Sequence, residues 1–281
     1  MNASLPIGIF DSGVGGLTVL RAIHDHLPNE QLIYLGDTAR LPYGTKSPES
    51  VQRYALQAAE HLVERGIKLL VVACNTASAL ALETLRARLA PLPVIGVVEP
   101  GAVAAVAMST AHRYIVLATE ATTQQRAYTR AIQVLDPAAE VAELACSLFV
   151  ALAEEGWHHG AITSAVAEEY LAAVRGLPDA RRPDVAILGC THFPLLSQSI
   201  QAALGAEIAI VDSAMTTAAA VAAELKSTGL AAVGNDGQER IQLVATDGAA
   251  RFARVGSAFL GRDFGVADIE LTDIHPSDLS A

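Results

Sequence analysis

The sequence predicts an α/β fold of two similar doubly wound parallel-sheet domains that face each other across a cleft and are related by a pseudo-two-fold axis. Short, almost continuous apolar runs alternate with longer amphipathic stretches. This alternation is typical of parallel strands buried on both faces and of the helices that cross between them. Two segments are also alike, since residues 70–76 read LVVACNT and residues 186–192 read AILGCTH. We therefore predict one half of the molecule around each segment.

The order of the apolar runs assigns them to the two domains. We predict strands over residues 7–10, 32–36, 69–73, 94–98, 114–118, 141–145, 185–189, 208–211 and 241–246. The last two runs follow the second half, so we expect the chain to return and complete the first sheet. The predicted first domain therefore comprises residues 1–98 and 210–281, and the second comprises residues 99–209.

The clearest helical pattern covers residues 48–65. Ser47 is suited to the N-cap and Pro48 to the first helical position, where its missing N–H is not needed. Gly66 follows the last turn and is a stop signal. We predict a crossover helix between these signals.

The composition excludes several classes of protein. Apolar residues make up 52% of the 281 and charged residues 17%, which allows a sizeable core and argues against disorder. The net charge is −11 without any Lys/Arg run, so no nucleic-acid partner is expected. No apolar run approaches the roughly 18 residues of a membrane span, and the first residues do not read as a signal peptide. We therefore expect a cytoplasmic protein with no membrane partner.

Polar side chains follow four of the predicted strands at the point where each strand ends. They lie in residues 11–13, 74–76, 119–122 and 190–192. Ligands of open α/β sheets bind outside the carboxyl ends of the strands. The functional site is therefore expected at these four ends.

The three cysteines are too few and too widely spaced for a disulfide framework, so we expect free thiols. A free cysteine is most often a small buried hydrophobe, and Cys146 is predicted to be one. Cys74 and Cys190 differ because each follows an apolar strand and precedes polar residues. Their matched contexts favour function over packing.

Two other kinds of site could use these residues. Cys74, Cys190 and His192 are possible metal ligands, but without a C-x-x-C pair or a tight His cluster we predict no metal. Cys190 and His192 could form the nucleophile–base pair of a thiol hydrolase. That interpretation leaves Cys74 without a role.

Two glycine-containing turns are compatible with an anionic ligand. Residues 11–16 read DSGVGG after a strand and before a helix, although Thr18 replaces the third glycine of a dinucleotide-binding turn. The N–H groups of such a turn could bind a carboxylate as well as a phosphate. Residues 41–44 read LPYG, which is either a simple turn or a loop whose N–H groups and phenol hold a carboxylate.

Together these segments resemble the signature motifs of one family. Residues 11–16 (DSGVGG), 42–44 (PYG), 74–77 (CNTA) and 190–194 (CTHFP) are similar, in order and spacing, to those of the glutamate racemases, which belong to the cofactor-independent aspartate/glutamate racemase group. The resemblance covers most of the chain. It implies an enzyme of this family with no cofactor.

Residues 118–122 and 151–156 resemble two further stretches of the family. In the second stretch we assign the family's functional glutamate to Glu154 rather than to Glu155. Ala118, Ser147 and Ala151 depart from the family's usual residues. These positions shape loops, so the departures concern local geometry rather than chemistry.

The resemblance implies that two thiols transfer protons on the two faces of glutamate. Cys190 would deprotonate L-glutamate and Cys74 would deprotonate D-glutamate. Asp11 would assist Cys74, whereas His192 and Glu154 would assist Cys190. The substrate-binding residues carried over from the motifs are Asn75, Thr76 and Thr191 at the α-carboxylate, Ser12, Pro42, Tyr43 and Gly44 at the side-chain carboxylate, and Thr119 and Thr122 along the cleft. The resemblance further implies that D-glutamate feeds peptidoglycan, and a homodimer is expected by analogy.

Other functions compete with this interpretation. A racemase of aspartate or of a hydantoin would share the paired cysteines, although the motifs at 11–16 and 42–44 favour glutamate. A pyridoxal phosphate enzyme would need a Schiff-base lysine, and Lys46, Lys68 and Lys226 do not lie at predicted strand ends. A non-catalytic ligand-binding module and an inhibitory role toward another protein are the remaining alternatives.

Overall fold

A computed structural model describes residues 2–234 and 240–274 of the chain. The strands are β1 Ile7–Asp11, β2 Leu32–Gly36, β3 Leu69–Val72, β4 Val94–Gly96, β5 Arg113–Ala118, β6 Glu140–Ala145, β7 Val185–Gly189, β8 Ala209–Asp212, β9 Ile241–Ala245 and β10 Ile269–Leu271. The helices are α1 Leu17–His26, α2 Pro48–Glu64, α3 Asn75–Leu89, α4 Val98–Met108, α5 Glu120–Gln125, α6 Ala127–Leu135, α7 Leu148–Glu154, α8 Ala161–Arg175, α9 Ser197–Leu204, α10 Ser213–Thr228 and α11 Ala249–Leu260. Short 3-10 turns cover Tyr43–Thr45, Asp179–Arg181, Phe193–Leu196 and Val266–Asp268.

The strands form two parallel sheets that repeat the same order. One sheet has six strands in the order β10-β9-β2-β1-β3-β4, and the other has four in the order β6-β5-β7-β8. The order β2-β1-β3-β4 in the first sheet therefore corresponds to β6-β5-β7-β8 in the second. In this correspondence β3, which precedes Cys74, is equivalent to β7, which precedes Cys190. The predicted fold class is confirmed.

One predicted strand belongs to the other sheet. The run at 208–211 was expected to complete the first sheet, but β8 pairs with β7, with Val185 opposite Ala209 and Leu188 opposite Asp212. An apolar run specifies that a strand is buried, not which neighbour it pairs with. The chain returns to the first sheet only after α10, when β9 pairs with β2. Residues 1, 235–239 and 275–281 of the predicted first domain lie outside the described residues.

Most predicted boundaries agree with the structure to within a residue or two. Helix α2 begins at Pro48, and Ser47 accepts a hydrogen bond from the Ser50 N–H at 3.3 Å as its N-cap. Gly66 adopts a left-handed φ of 77° after the last turn, which a residue with a side chain would strain to reach. Strand β4 is shorter than predicted because α4 already begins at Val98. Strand β10 was not predicted.

A continuous apolar cluster connects the two sheets. It includes Ile9 and Leu17 from the first half and Leu117, Leu188 and Phe149 from the second, all buried. Burial of these side chains between the halves fixes how the two sets of strand ends face each other. No helix within residues 2–234 and 240–274 is both long and apolar enough to span a membrane.

Candidate active site

The carboxyl ends of strands from both sheets open into one cavity of about 150 Å³. Its walls contain twelve of the predicted site residues: Ser12, Pro42, Tyr43, Gly44, Cys74, Asn75, Thr76, Thr119, Glu154, Cys190, Thr191 and His192. Gly13, Leu41, Thr45, Ser147 and Val150 also line it without having been predicted as site residues. The predicted residues Asp11 and Thr122 do not line it. Both cysteine-bearing strand ends thus contribute to the same cavity.

Cys74 occupies the N-cap of α3. Its sulfur accepts a hydrogen bond from the Ala77 N–H at 3.4 Å, and its thiol donates to Ser12 Oγ at 3.5 Å. Burial and the nearby Asp11 carboxylate raise the pKa of this thiol to about 12. Cys74 is therefore a thiol at neutral pH, and the helix N-terminus is the local feature that favours its thiolate when a proton leaves.

Asp11 lies behind the cavity wall, at the end of β1, and is 1% exposed. The Gly13 N–H donates to Asp11 Oδ2 at 2.8 Å, whereas Oδ1 has no hydrogen-bond partner in the described structure. Burial raises the pKa of this carboxyl, and the charge of His192 opposes the shift. Asp11 is thus placed to influence Cys74 through its charge.

His192 links Cys190 to Glu154. Its Nδ1 lies 3.8 Å from Cys190 Sγ, and its Nε2 lies 3.1 Å from Glu154 Oε1. Burial lowers the pKa of the imidazole, but the contacts with Cys190 and Glu154 outweigh this and raise it to about 10. His192 is therefore a cation at neutral pH. The alternative Glu155 is exposed and ends the helix.

Glu154 has a second cationic partner that sequence reasoning missed. Arg251 in α11 donates from Nη2 to Glu154 Oε2 at 2.7 Å. Burial opposes ionisation of Glu154, yet the contacts with His192 and Arg251 lower its pKa below the usual value. No local sequence signal connects two residues 97 positions apart, so only the tertiary structure reveals this pair.

The two cysteines therefore have environments of opposite sign. Cys74 lies near the Asp11 carboxylate, whereas Cys190 lies beside the His192 imidazolium. Cys74 is thus a protonated thiol, whereas Cys190 has a cationic hydrogen-bond donor beside its sulfur. Two sulfurs in surroundings of opposite charge suit acid–base chemistry on two faces of one carbon.

Three threonine hydroxyls form a closed cluster at the interface of the halves. Thr76 Oγ1 lies 3.1 Å from Thr119 Oγ1 and 3.2 Å from Thr122 Oγ1, and the latter two are 3.0 Å apart. The prediction that Thr122 lines the cleft is wrong, because its side chain is completely buried. It supports the other two hydroxyls instead.

The hydroxyl of Tyr43 is bound within the protein, contrary to the prediction that it holds a ligand carboxylate. It is buried and donates its proton to the carboxylate of Asp37, so it has none left for a ligand carboxylate. Asp37 also accepts from Arg40 Nε at 2.7 Å and from Thr246 Oγ1 at 3.1 Å. This buried network anchors the loop, and the first N–H groups of the 3-10 turn at 43–45 remain the groups suited to bind an anion there.

Gly15 lets the two halves approach closely. A Cβ at this position would lie 2.3 Å from Thr191 Oγ1 and 2.5 Å from His192 Nδ1. In the same region the Thr18 hydroxyl donates to the Thr191 carbonyl at 3.2 Å. The glycine-rich turn that follows β1 therefore also packs directly against the residues that follow β7.

The third cysteine is part of the core. Cys146 is completely buried and does not line the cavity, which confirms the prediction made for it. Within the part of the chain that the structure describes, no group of three or more His, Cys, Asp or Glu side chains could hold a metal ion.

The fold and the site define an α/β protein whose repeated halves each contribute one thiol to a shared cavity. A family model described as Asp/Glu/Hydantoin racemase matches residues 14–223. A glutamate racemase of Geobacter metallireducens is 50% identical over 259 residues, covering 92% of this chain and 94% of that protein. One of Syntrophus aciditrophicus is 43% identical over 271 residues, covering 95% and 97%. This chain belongs to the Asp/Glu/Hydantoin racemase family, and the resemblance seen in its motifs is confirmed.

Solved structures agree with this assignment. The glutamate racemase of Francisella tularensis in complex with D-glutamate superposes with a TM-score of 0.88 at 33% identity, covering 97% of this chain and 98% of that one. The Escherichia coli glutamate racemase in complex with L-glutamate and the activator UDP-MurNAc-ala gives 0.78 at 28% identity, covering 97% and 100%. The relatives that match nearly the whole chain are thus amino-acid racemases.

Proposed function

We propose that this protein interconverts L-glutamate and D-glutamate by proton transfer between the α-carbon and two thiols, without a cofactor. The observation that carries the proposal is the equivalence of β3 and β7, which brings Cys74 and Cys190 into one cavity. Glutamate as substrate is supported by the names of the relatives and by the glutamate bound to two of the similar structures.

Racemisation removes the α-proton from one face and returns a proton to the other. In the L-to-D direction Cys190 takes the proton and the Cys74 thiol gives one, and the roles reverse in the D-to-L direction. The protonated state of Cys74 and the cationic donor beside Cys190 match the first of these directions. His192 and Glu154 hold positive and negative charge behind Cys190, while Asp11 supplies negative charge near Cys74.

The α-proton of an amino acid is a very weak acid, so the site must stabilise negative charge that develops at the α-carbon and its carboxylate. Asn75, Thr76 and Thr191 are the side chains proposed for this purpose, and all three line the cavity. Ser12 and the main chain of residues 42–44 are proposed to bind the side-chain carboxylate. Thr119 completes the wall between them.

The placement of the lysines supports cofactor independence. None of Lys46, Lys68 and Lys226 lines the cavity. Lys68 is completely buried in an ion pair with Glu30 at 2.5 Å, beside the first residue of β3 and therefore at the opposite end of the strand from Cys74. The further proposals carried from the family are that D-glutamate is used for peptidoglycan, that the protein acts in the cytoplasm, and that it forms a homodimer.

The test is to incubate the metal-stripped protein with L-glutamate in heavy water, without cofactor, and to follow both enantiomers early in the reaction. We expect D-glutamate with one α-deuterium and remaining L-glutamate that is largely unlabelled. Equal labelling of both enantiomers would contradict two bases that each serve one face. If folded protein yields no D-glutamate, the substrate proposal is wrong, and aspartate and hydantoins become the next substrates to assay.

A further inference from the structure

Tyr128 in α6 connects the two cysteine-bearing strand ends. Its hydroxyl donates to Asn75 Oδ1 at 2.7 Å, and Asn75 is the residue after Cys74. Its ring packs against Gly189, the residue before Cys190, where a Cβ would lie 3.1 Å from Tyr128 Cε2. One buried side chain therefore contacts the neighbour of each cysteine.

The ring of Tyr128 is held on a second side as well. A Cβ at Gly101 would lie 3.2 Å from Tyr128 Cε1. Contacts of 3.1–3.2 Å are tighter than ordinary van der Waals separations, so two glycines leave space for the ring that alanines would take. The side chain is completely buried. Its hydroxyl consequently has a fixed position, and the hydrogen bond to Asn75 is not one of several that a mobile phenol could choose.

The hydrogen bond engages the oxygen end of the Asn75 amide. A neutral phenol has one proton to give, and Asn75 Oδ1 accepts it. The amide nitrogen Nδ2 is then the free end. This nitrogen is buried and has no hydrogen-bond partner in the described structure. Asn75 itself is only 3% exposed, and it lines the cavity. A buried donor without an acceptor is unfavourable unless a ligand supplies one.

We propose that Tyr128 is a positioning residue that holds the Asn75 amide with Nδ2 free to donate to a substrate carboxylate. This inference rests on the proposed function and adds to it a residue that contacts neither the substrate nor a cysteine sulfur. Tyr128 acts only through Asn75. Without the phenol hydroxyl, Oδ1 loses its donor and the amide has no reason to prefer the orientation that binds an anion.

The kinetic test compares Tyr128→Phe with a matched control, Tyr114→Phe. Tyr114 is also a buried tyrosine of the same half, and its hydroxyl donates to Asp136 Oδ2 at 2.8 Å. It lies at the start of β5, whereas the cavity lies at the strand ends. For Tyr128→Phe we expect kcat/KM for glutamate to fall about tenfold, because the Asn75 amide is proposed to bind the carboxylate on which negative charge develops. Tyr114→Phe should leave kcat/KM near that of the wild type.

A double-mutant cycle separates positioning from a general structural role. In an Asn75→Ala background, Tyr128→Phe should have no further effect on kcat/KM, because its only route to the substrate has been removed. Additive effects of the two substitutions would overturn the proposal. An unchanged kcat/KM in the single variant Tyr128→Phe, with normal wild-type turnover, would overturn it equally.

A spectroscopic readout keeps the test independent of turnover. In ¹⁵N-labelled protein, the side-chain amide signal of Asn75 is assigned by its loss in Asn75→Ala. We expect this signal to shift in Tyr128→Phe and to stay in place in Tyr114→Phe; no shift in Tyr128→Phe overturns the positioning role. If the wild type fails to racemise glutamate, the proposed function is wrong, and the amide signal still decides whether Tyr128 positions Asn75.

Discussion

Glu154 and His192 form a partly buried contact of 3.1 Å that joins the end of α7 to the residues after β7. The carboxylate of Glu154 accepts a hydrogen bond from His192 Nε2, so the opposite ring nitrogen, Nδ1, lies toward Cys190. Contacts of this kind fix both the orientation and the charge of an imidazole. The state of His192 therefore depends on Glu154 and, one contact further, on Arg251.

The His192 contact should make stability depend on pH above neutrality. The pKa of His192 is about 10 in the folded protein and near 6.5 in the unfolded chain. Its stabilising contribution is therefore complete below pH 6.5 and is lost as pH rises toward 10. We expect the free energy of unfolding of the wild type to fall relative to that of His192→Asn over this interval, by at most about 1.4 kcal/mol per pH unit. Urea unfolding of both proteins at several pH values measures the difference, and a difference that does not change with pH contradicts the assignment.

Each of the two cavity cysteines should be needed for turnover. Cys74→Ser and Cys190→Ser are expected to lower kcat/KM at least ~100-fold, since a positioned general acid or base contributes roughly 10²–10⁴-fold. Cys146→Ala is the matched control, because Cys146 is a buried thiol outside the cavity. It should retain activity within about threefold, as a core change that leaves the site intact. Racemisation followed by circular dichroism, with thermal unfolding to confirm folding, distinguishes these outcomes; an active Cys74→Ser or Cys190→Ser variant would refute the two-thiol mechanism.

Loss of the Arg251 ion pair should shift the pH profile of kcat/KM and lower the free energy of unfolding only slightly. Arg251 is about half exposed, so Arg251→Gln should lower the free energy of unfolding by less than about 1 kcal/mol. Without this guanidinium the pKa of Glu154 rises, and Glu154 becomes protonated at a higher pH. We expect the acidic limb of the kcat/KM profile to move to higher pH. Arg254→Gln, a change at an exposed arginine of the same helix, is the control and should leave the limb in place; identical profiles for both variants would argue against a link through Glu154.

A side chain at position 15 should lower the stability of the fold. In Gly15→Ala the new Cβ would meet Thr191 and His192 at 2.3–2.5 Å, so the residues after β7 must shift. We expect the free energy of unfolding to fall by about 1–3 kcal/mol, the usual cost of overpacking. Gly13→Ala is the stability control, because its Cβ would meet only Leu41 Cδ2 at 3.5 Å. Equal stability of the two variants, measured by urea unfolding, would show that the halves adjust without cost.

Much of the fold and of the site follows from local sequence signals. Apolar runs mark strands because a strand covered on both faces has to be apolar along its length. Polar residues such as Cys74 and Cys190 directly after such runs mark a site because parallel strands bring their carboxyl ends to one edge. The helix signals at Ser47 and Gly66 act within a turn of the chain, and the structure agrees with them.

Contacts between distant residues were decided only by the tertiary structure. Strand β8 joined the second sheet, Thr122 became completely buried, and the phenol of Tyr43 bound Asp37. Each of these outcomes depends on what a neighbouring element offers, which no local pattern records.

The sequence by itself determined where β1 to β9 and α2 lie, which residues stand at the strand ends, and that two halves are alike. Those features arise from interactions within a few residues or from the repeat of one pattern. Only the tertiary structure decided that Tyr128 holds Asn75, 53 positions away, and that Arg251 holds Glu154, 97 positions away. The physical reason is that a hydrogen bond or an ion pair needs its partners within about 3 Å, and the packing of helices against sheets sets that distance, not the spacing along the chain.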